Sequence, residues 1–124
     1  MAIKIYIDQG HNPRSYNTGA EGNGYFEQDI TYRIGILLGR YFSQNASFEY
    51  KLSRPTEDTI LGTSNSTSLS ERVRDANSWG ADLFLSVDSS NATRNCNATQ
   101  IEAVLKCRLA DSLNALTELY LREV

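Results

Sequence analysis

Short runs of β-branched and aromatic residues alternate along the chain with longer stretches that carry apolar residues at helical spacing. Four of the short runs have the composition of strands, and they cover residues 3–8, 47–52, 82–87 and 101–107. Three longer stretches have the period of amphipathic helices, and they cover residues 27–43, 68–79 and 109–120. The resulting order, β-α-β-α-β-β-α, predicts an α/β fold with a mostly parallel sheet and helices on both faces.

All three predicted helices have an apolar stripe, which in the last helix consists of Leu109, Leu113, Leu116 and Tyr120. In the first helix the stripe consists of Ile30, Ile34, Leu37, Leu38, Tyr41 and Phe42. Gly35 and Gly39 lie within that helix at some cost in helix propensity, so we expect them to permit close packing against the sheet. Ser68 and Glu71 have the form of a capping box at the start of the second helix. Its predicted stripe consists of Leu69, Val73 and Ala76.

The loops are rich in glycine and polar residues. Residues 9–24 carry four of the eight glycines and form a long predicted loop after the first strand. Long loops in compact domains usually carry function. Another polar loop, residues 88–100, follows the third strand. Because ligands of parallel sheets bind beyond the carboxyl ends of the strands, these two loops are where we expect the functional residues.

Composition limits the classes of protein to consider. The chain has 124 residues, which predicts one domain over residues 1–124. A net charge of −3 argues against nucleic acid as a partner, because phosphate-backbone binding needs a dense basic face. The apolar runs are too short for a membrane span, and the N-terminal residues have no signal-peptide pattern. The two cysteines, Cys96 and Cys107, are as compatible with a disulfide as with two thiols.

Three residues with metal-binding side chains stand at the predicted strand ends and helix start. His11, which is the one histidine in the chain, follows the first strand, Glu27 opens the first helix, and Asp88 follows the third strand. Each also has an ordinary interpretation: a hydrogen-bonding histidine, an acid favoured by the helix dipole, and a loop-capping aspartate. Together they would suit a zinc site with an open position.

Five segments of the chain resemble a known family in order and spacing. They are residues 5–11, 19–29, 52–56, 68–77 and 80–87, with the sequences IYIDQGH, GAEGNGYFEQD, LSRPT, SLSERVRDAN and GADLFLSV. The chain is similar to the zinc-dependent N-acetylmuramoyl-L-alanine amidases over residues 3 to about 92. These enzymes hydrolyse the amide that joins the lactyl group of muramic acid to the stem peptide of the bacterial cell wall.

The resemblance implies a ligand set, a reaction and a location. His11 and Glu27 match two zinc ligands of the family, and Asp88 stands where the family has a third ligand, a histidine. The implied reaction is attack of zinc-activated water on the lactyl-L-alanine amide, with peptidoglycan or a muropeptide as partner. The implied location is the cell wall or the extracellular space.

Further residues are candidates for binding such a substrate. Arg54 and Arg72 are candidates for contacting its carboxylates, with solvated or structural roles as the alternative. Tyr25 flanks the glycine-rich loop, where a sugar or peptide would stack on it.

Two departures from the family pattern predict impaired catalysis. A second carboxylate at Asp88 cancels the charge of Zn²⁺ and weakens its activation of water. The family's later glutamate, a general base, has no counterpart before Val124, and its loss would slow proton transfer. Two alternatives follow. One is a non-catalytic domain that binds cell-wall fragments or a protein. The other is a module that self-associates as a homodimer through an exposed sheet edge.

Overall fold

A computed structural model describes residues 1–88 of the protein. The predicted strand at 101–107, the predicted helix at 109–120 and both cysteines lie outside the described residues. In chain order the elements are β1 (Ile3–Gln9), β2 (Glu21–Gly22), β3 (Tyr25–Phe26), α1 (Glu27–Phe42), β4 (Phe48–Leu52), α2 (Asn65–Trp79) and β5 (Leu83–Val87). Neither of the two helices within residues 1–88 is long and apolar enough to cross a membrane.

The main sheet is parallel, as predicted. Its strands lie in the order β4-β1-β5, and both pairs that β1 makes are parallel. The register pairs Ile7 with Leu52 on one side and with Leu85 on the other. The carboxyl ends of β1 and β5 therefore lie next to each other at one edge of the sheet. The prediction of an α/β fold with a parallel sheet is confirmed, whereas self-association through a sheet edge stays a prediction.

The two helices contact opposite faces of β1. Side chains alternate between the faces of a strand. Ile5 and Ile7 belong to the apolar core on the α1 side. Tyr6 and Asp8, which alternate with them, contact Asp75 and Arg72 of α2. The core is completed by Phe42 and Val87, with Ile3, Ile34, Leu38, Phe48, Leu52, Leu83 and Leu85 packed against it.

Helix α1 packs on the sheet through its glycines, as the sequence predicts. A Cβ on Gly39 would lie 2.5 Å from the ring of Tyr50, and a Cβ on Gly35 would overlap the side chain of Gln9. The predicted stripe is partly wrong, because Leu37 and Tyr41 are exposed. The buried residues of α1 are Gln28, Thr31, Gly35, Gly39 and Phe42. Because the glycines let α1 approach the sheet closely, the contact between helix and sheet is centred on them. It is not centred on the larger apolar side chains of the predicted stripe.

Helix α2 has its N-cap four residues before the predicted capping residue Ser68, and it buries a different face. Ser64 is the N-cap, and its side chain accepts a hydrogen bond from the Thr67 amide while Thr67 bonds back to the Ser64 amide. The buried residues are Ser68, Arg72 and Ala76, while Leu69 and Val73 are more than half exposed. The helix ends at Trp79 before Gly80, whose φ of 74° gives the left-handed cap expected of glycine.

A short hairpin lies within the region predicted as one long loop. Strands β2 and β3 are antiparallel, with Glu21 opposite Phe26 and Gly22 opposite Tyr25. The two residues between them, Asn23 and Gly24, have φ values of 52° and 76°. Two consecutive positive φ values are what a two-residue hairpin turn requires, and Asn-Gly is its preferred sequence. The hairpin leads directly into α1.

Candidate metal centre

The structure brings His11, Glu27 and Asp88 together. His11 Nε2 lies 3.2 Å from Glu27 Oε2 and 3.9 Å from Asp88 Oδ1. One potential ligand atom from each side chain lies within 4.8 Å of the other two. The Glu27 side chain is 9% exposed, that of His11 24% and that of Asp88 49%, so the group opens to solvent on the Asp88 side.

The strand order explains why residues so distant in sequence meet. β1 and β5 are neighbours, and the Gly10 amide donates to the Val87 carbonyl at 2.9 Å. His11 and Asp88 therefore leave adjacent strands side by side. Since a helix joining two parallel strands must run back along the sheet, α1 begins at that same edge. Its first residue, Glu27, donates its amide to the Ala20 carbonyl at 2.9 Å.

The backbone at His11 is in the left-handed region, with a φ of 66°. Such a conformation costs on the order of 1–3 kcal/mol for a residue other than glycine, and it persists where surrounding contacts enforce it. Arg72 Nη2 donates to the His11 carbonyl at 2.9 Å, and Thr31 Oγ1 donates to the Gly10 carbonyl at 2.6 Å. Hydrogen bonds from charged donors contribute about 1.5–3 kcal/mol each, which is enough to offset this strain.

Each carboxylate is oriented by a neighbour. Glu27 Oε2 accepts a hydrogen bond from the Ala20 amide at 3.0 Å. Ser86 Oγ donates to Asp88 Oδ2 at 2.7 Å, which leaves Oδ1 as the oxygen facing His11. Groups that hold ligand side chains in this way are a regular part of metal centres.

Glycines make room for both carboxylates. A Cβ on Gly10 would overlap Asp88 Oδ1, and a Cβ on Gly19 would lie 2.6 Å from the Glu27 Cβ. Neither glycine has a positive φ, so their role here is to leave space rather than to permit an unusual backbone. A side chain at either position would displace a carboxylate from the cluster.

The donor set fits a divalent metal such as zinc. Imidazole nitrogen and carboxylate oxygen are both zinc ligands, and tetrahedral ligand atoms about 2.1 Å from the ion lie about 3.4 Å apart. The distances of 3.2 and 3.9 Å from His11 Nε2 bracket that spacing. The three ligand atoms lie within 4.8 Å of one another, so Asp88 would need to approach by up to about 1.4 Å, which its half-exposed side chain permits. Three protein ligands would leave the fourth position open.

The two arginines predicted as candidates for substrate binding are both buried. Arg72 is 1% exposed, and its guanidinium bonds to Asp8 and to the loop after β1. Arg54 is fully buried and donates to the carbonyls of Gln28 and Glu57. Burial, and next the charge of Arg72, lowers the pKa of Arg54. These contacts favour the structural role for both residues, and binding of substrate by either stays a prediction.

The third substrate-binding candidate, Tyr25, is exposed. It lies on β3, two residues before Glu27, and its side chain is 67% exposed. Stacking of substrate on Tyr25 stays a prediction.

Some residues that support the cluster were not singled out from the sequence. Asn12 is fully buried beside His11, and no local pattern indicates its burial. Ser86, which lies on β5 two residues before Asp88, orients that carboxylate. Gly10 could have been found, because a glycine directly before a histidine at a strand end indicates close approach of another group.

Sequence comparisons relate the chain to enzymes of the cell wall. A sequence profile described as N-acetylmuramoyl-L-alanine amidase matches residues 5–106. The N-acetylmuramoyl-L-alanine amidase CwlM of Bacillus licheniformis is 36% identical over 86 residues, which cover 68% of this chain and 30% of that protein. A sporulation-specific N-acetylmuramoyl-L-alanine amidase of Bacillus subtilis is 35% identical over 85 residues, with the same coverage. The chain thus spans less than a third of either relative.

Solved structures share the fold. An N-acetylmuramoyl-L-alanine amidase from Clostridium difficile 630 superposes with a TM-score of 0.62 and 25% identity, covering 77% of this chain and 48% of that one. The catalytic domain of CwlV, an N-acetylmuramoyl-L-alanine amidase from Paenibacillus polymyxa, gives a TM-score of 0.60 at 23% identity, covering 84% and 61%.

Proposed function

Because the chain belongs to the N-acetylmuramoyl-L-alanine amidase family, we propose that it is a metal-dependent cell-wall hydrolase. Its reaction is hydrolysis of the amide between the lactyl group of N-acetylmuramic acid and L-alanine. Its substrate is peptidoglycan or a soluble muropeptide, and it acts in the cell wall or the extracellular space. The observation that carries this proposal is the approach of His11, Glu27 and Asp88 at the carboxyl edge of the sheet.

The three residues hold one zinc ion in this proposal. His11 binds through Nε2, because that nitrogen faces both carboxylates. Glu27 binds through Oε2 and Asp88 through Oδ1. A bound zinc ion supplies a Lewis acid, which polarises the scissile carbonyl and lowers the pKa of water.

The chain's own residues determine how the site is presented. The left-handed turn at His11 aims the imidazole at the carboxylates, and the Ala20 amide fixes Glu27. The half-exposed Asp88 marks the open side of the site. On this side the lactyl-L-alanine amide, carried by a glycan strand, has access to the cluster. Tyr25, exposed on the neighbouring hairpin, offers a surface on which a sugar or peptide stacks.

Asp88 makes this site less reactive than one with two imidazoles and one carboxylate. Two carboxylates would neutralise a bound divalent ion, so its activation of water and its polarisation of the carbonyl would be weaker. We therefore expect slow turnover relative to amidases that carry histidine at this position. We expect the exchange of histidine for Asp88 to act on the chemical step, since it changes the charge around the ion and leaves Tyr25 unchanged.

Metal content after dialysis tests the site. We expect close to one equivalent of zinc in the wild-type protein and much less in His11→Ala. Arg14→Ala is the matched control, because Arg14 lies on the same loop with an exposed side chain paired to Asp58. Equal zinc content in wild type and His11→Ala would contradict the assignment.

Release of new L-alanine amino termini from purified peptidoglycan tests the reaction. We expect slow, zinc-dependent release by the wild-type protein and none by His11→Ala. Glycan strands freed of peptide are the accompanying product. A protein that binds zinc but releases no L-alanine termini would replace the hydrolase with a non-catalytic domain that binds cell-wall fragments.

A further inference from the structure

We propose that Arg72, supported by Asn12, is a positioning residue for His11. The guanidinium of Arg72 holds the main chain from Gln9 to Asn12 in the one conformation that aims the imidazole at Glu27 and Asp88. This inference deepens the proposed function. The expected effect of Arg72 on zinc binding rests on the proposed zinc site. Arg72 itself does not contact the metal or the substrate in this account.

The contacts of Arg72 converge on the loop after β1. Nη1 donates to Asp8 Oδ1 at 2.7 Å and to the Gln9 carbonyl at 2.6 Å. Nη2 donates to the His11 carbonyl at 2.9 Å and to Asn12 Oδ1 at 3.1 Å. Its bonds therefore lie on both sides of the left-handed turn at His11. A group that bonds both sides of a turn resists its relaxation to an ordinary φ.

Asn12 connects this turn to the rest of the domain. Its amide nitrogen donates to the carbonyls of Tyr16 and Leu61, both at 2.9 Å, and its Oδ1 accepts from the Leu61 amide at 3.1 Å. Because Asn12 Oδ1 also accepts from Arg72, the two side chains form one buried network. The network fixes the residue that directly follows His11.

The geometry requires an arginine. A guanidinium presents donors in a rigid fork, whereas an ammonium is a single point charge on a flexible stem. Lysine at position 72 can keep the charge beside Asp8 but cannot span the acceptors on both sides of His11. Arg72 Nε is buried without a hydrogen-bond partner, so the bonding of this guanidinium goes through its two terminal nitrogens. Hydrogen bonds concentrated on the two terminal nitrogens favour a role for Arg72 in positioning the loop. A role only as the buried charge partner of Asp8 would not require them.

A second ion pair against the same face of the sheet provides a matched control. Lys51 Nζ bonds to Asp75 Oδ1 at 2.6 Å, and Asp75 lies on α2 three residues after Arg72. Asp75 also accepts from Tyr6, so this pair, like Arg72, joins α2 to the sheet. It makes none of the contacts to the loop after β1 that Arg72 makes. Loss of the pair should lower stability without moving His11.

The single histidine of the chain makes the test direct, since its imidazole gives one pair of ¹³C–¹H NMR peaks. At one fixed pH and with chelator present, we expect sharp, displaced peaks in wild type. In Arg72→Lys they should broaden and move towards the shifts of an unstructured peptide. Lys51→Met should leave them unchanged, with a smaller loss of stability, because the Lys51–Asp75 pair is about one-third exposed. We also expect Arg72→Lys to weaken zinc binding about 10- to 100-fold, as loss of a supporting group does at other metal centres.

Unchanged imidazole peaks in a folded Arg72→Lys protein would overturn the proposal, and so would equal movement in Lys51→Met. If Arg72→Lys does not fold, Asn12→Ser carries the same test, because it removes one of the two acceptors of Arg72 Nη2. The peaks should then move in the same direction by a smaller amount, and unmoved peaks would again overturn it. A wild-type protein that binds no zinc would refute the proposed function, but the NMR comparison would still decide the role of Arg72.

Discussion

Replacement of Gly10 by alanine isolates the contribution of Asp88 to the metal centre. The added Cβ would overlap Asp88 Oδ1 and would lie 2.8 Å from the Val87 carbonyl oxygen and 3.0 Å from Asp88 Cγ. The Val87 carbonyl accepts the Gly10 amide, so the backbone there has little freedom. The side chain of Asp88 is half exposed and can rotate into solvent. The carboxylate is therefore expected to make the larger movement, while the backbone at Val87 shifts slightly to relieve its 2.8 Å contact with the new Cβ.

The expected effect is larger on metal binding than on folding. Asp88 Oδ1 already lies 3.9 Å from His11 Nε2, and rotation away from the new methyl group lengthens that distance. Loss of a positioned ligand should weaken zinc binding at least 10- to 100-fold, or about 1.4–2.8 kcal/mol. Residual crowding against Val87 should lower the free energy of unfolding by about 1 kcal/mol, the low end for an overpacked site.

Zinc affinity is measured by competition with a chelator, and unfolding by urea titration of the metal-free protein. Gly22→Ala is the matched control, since a Cβ there meets no atom within 4 Å. It should change neither quantity by more than a few tenths of a kcal/mol. Wild-type zinc affinity in Gly10→Ala would refute the reasoning, because Asp88 would then not be a ligand in the position described.

Three further outcomes are expected. Asp88→His should raise zinc affinity in chelator competition, because imidazole is a common zinc ligand and its longer side chain reaches further towards His11 and Glu27; unchanged affinity would mean that position 88 does not face the ion. Burial, then the hydrogen bond to Asp75, raises the pKa of Tyr6, so its contribution to stability holds below its ordinary value of 10.0 and falls as the pH rises above it. Tyr6→Phe should flatten that alkaline decline in urea unfolding, and an unchanged slope would contradict the assignment. Gly35→Ala should destabilise the protein by about 1–3 kcal/mol in the same assay, because its Cβ would displace the buried Gln9 side chain, and a stabilised variant would show that α1 has room to move.

Most of the sheet and the site residues were predictable because the signals are local. The β-branched runs predicted β1, β4 and β5 to within a residue at each end. Once the strands are parallel, their carboxyl ends share one edge, which predicts that His11 and Asp88 lie near each other. The hairpin before α1 was also predictable, since Asn23-Gly24 is a strong turn signal.

The buried face of α2 could not be predicted from local pattern. Its sequence favours Leu69 and Val73 as the inward residues, yet Ser68 and Arg72 are buried instead. Arg72 can be buried only because Asp8 and the carbonyls of Gln9 and His11, some sixty residues earlier, accept its hydrogen bonds. Likewise, Ser68-x-x-Glu71 is a better capping sequence than Ser64-x-x-Thr67, but tertiary packing sets the helix start.

Anomalous diffraction at the zinc edge, from crystals grown with zinc, tests the metal centre most directly. We expect one strong peak at the edge of the sheet, about 2.0–2.2 Å from each of His11 Nε2, Glu27 Oε2 and Asp88 Oδ1. A peak held by other residues, or no peak near His11 at saturating zinc, would contradict the assignment of these three side chains as a metal centre.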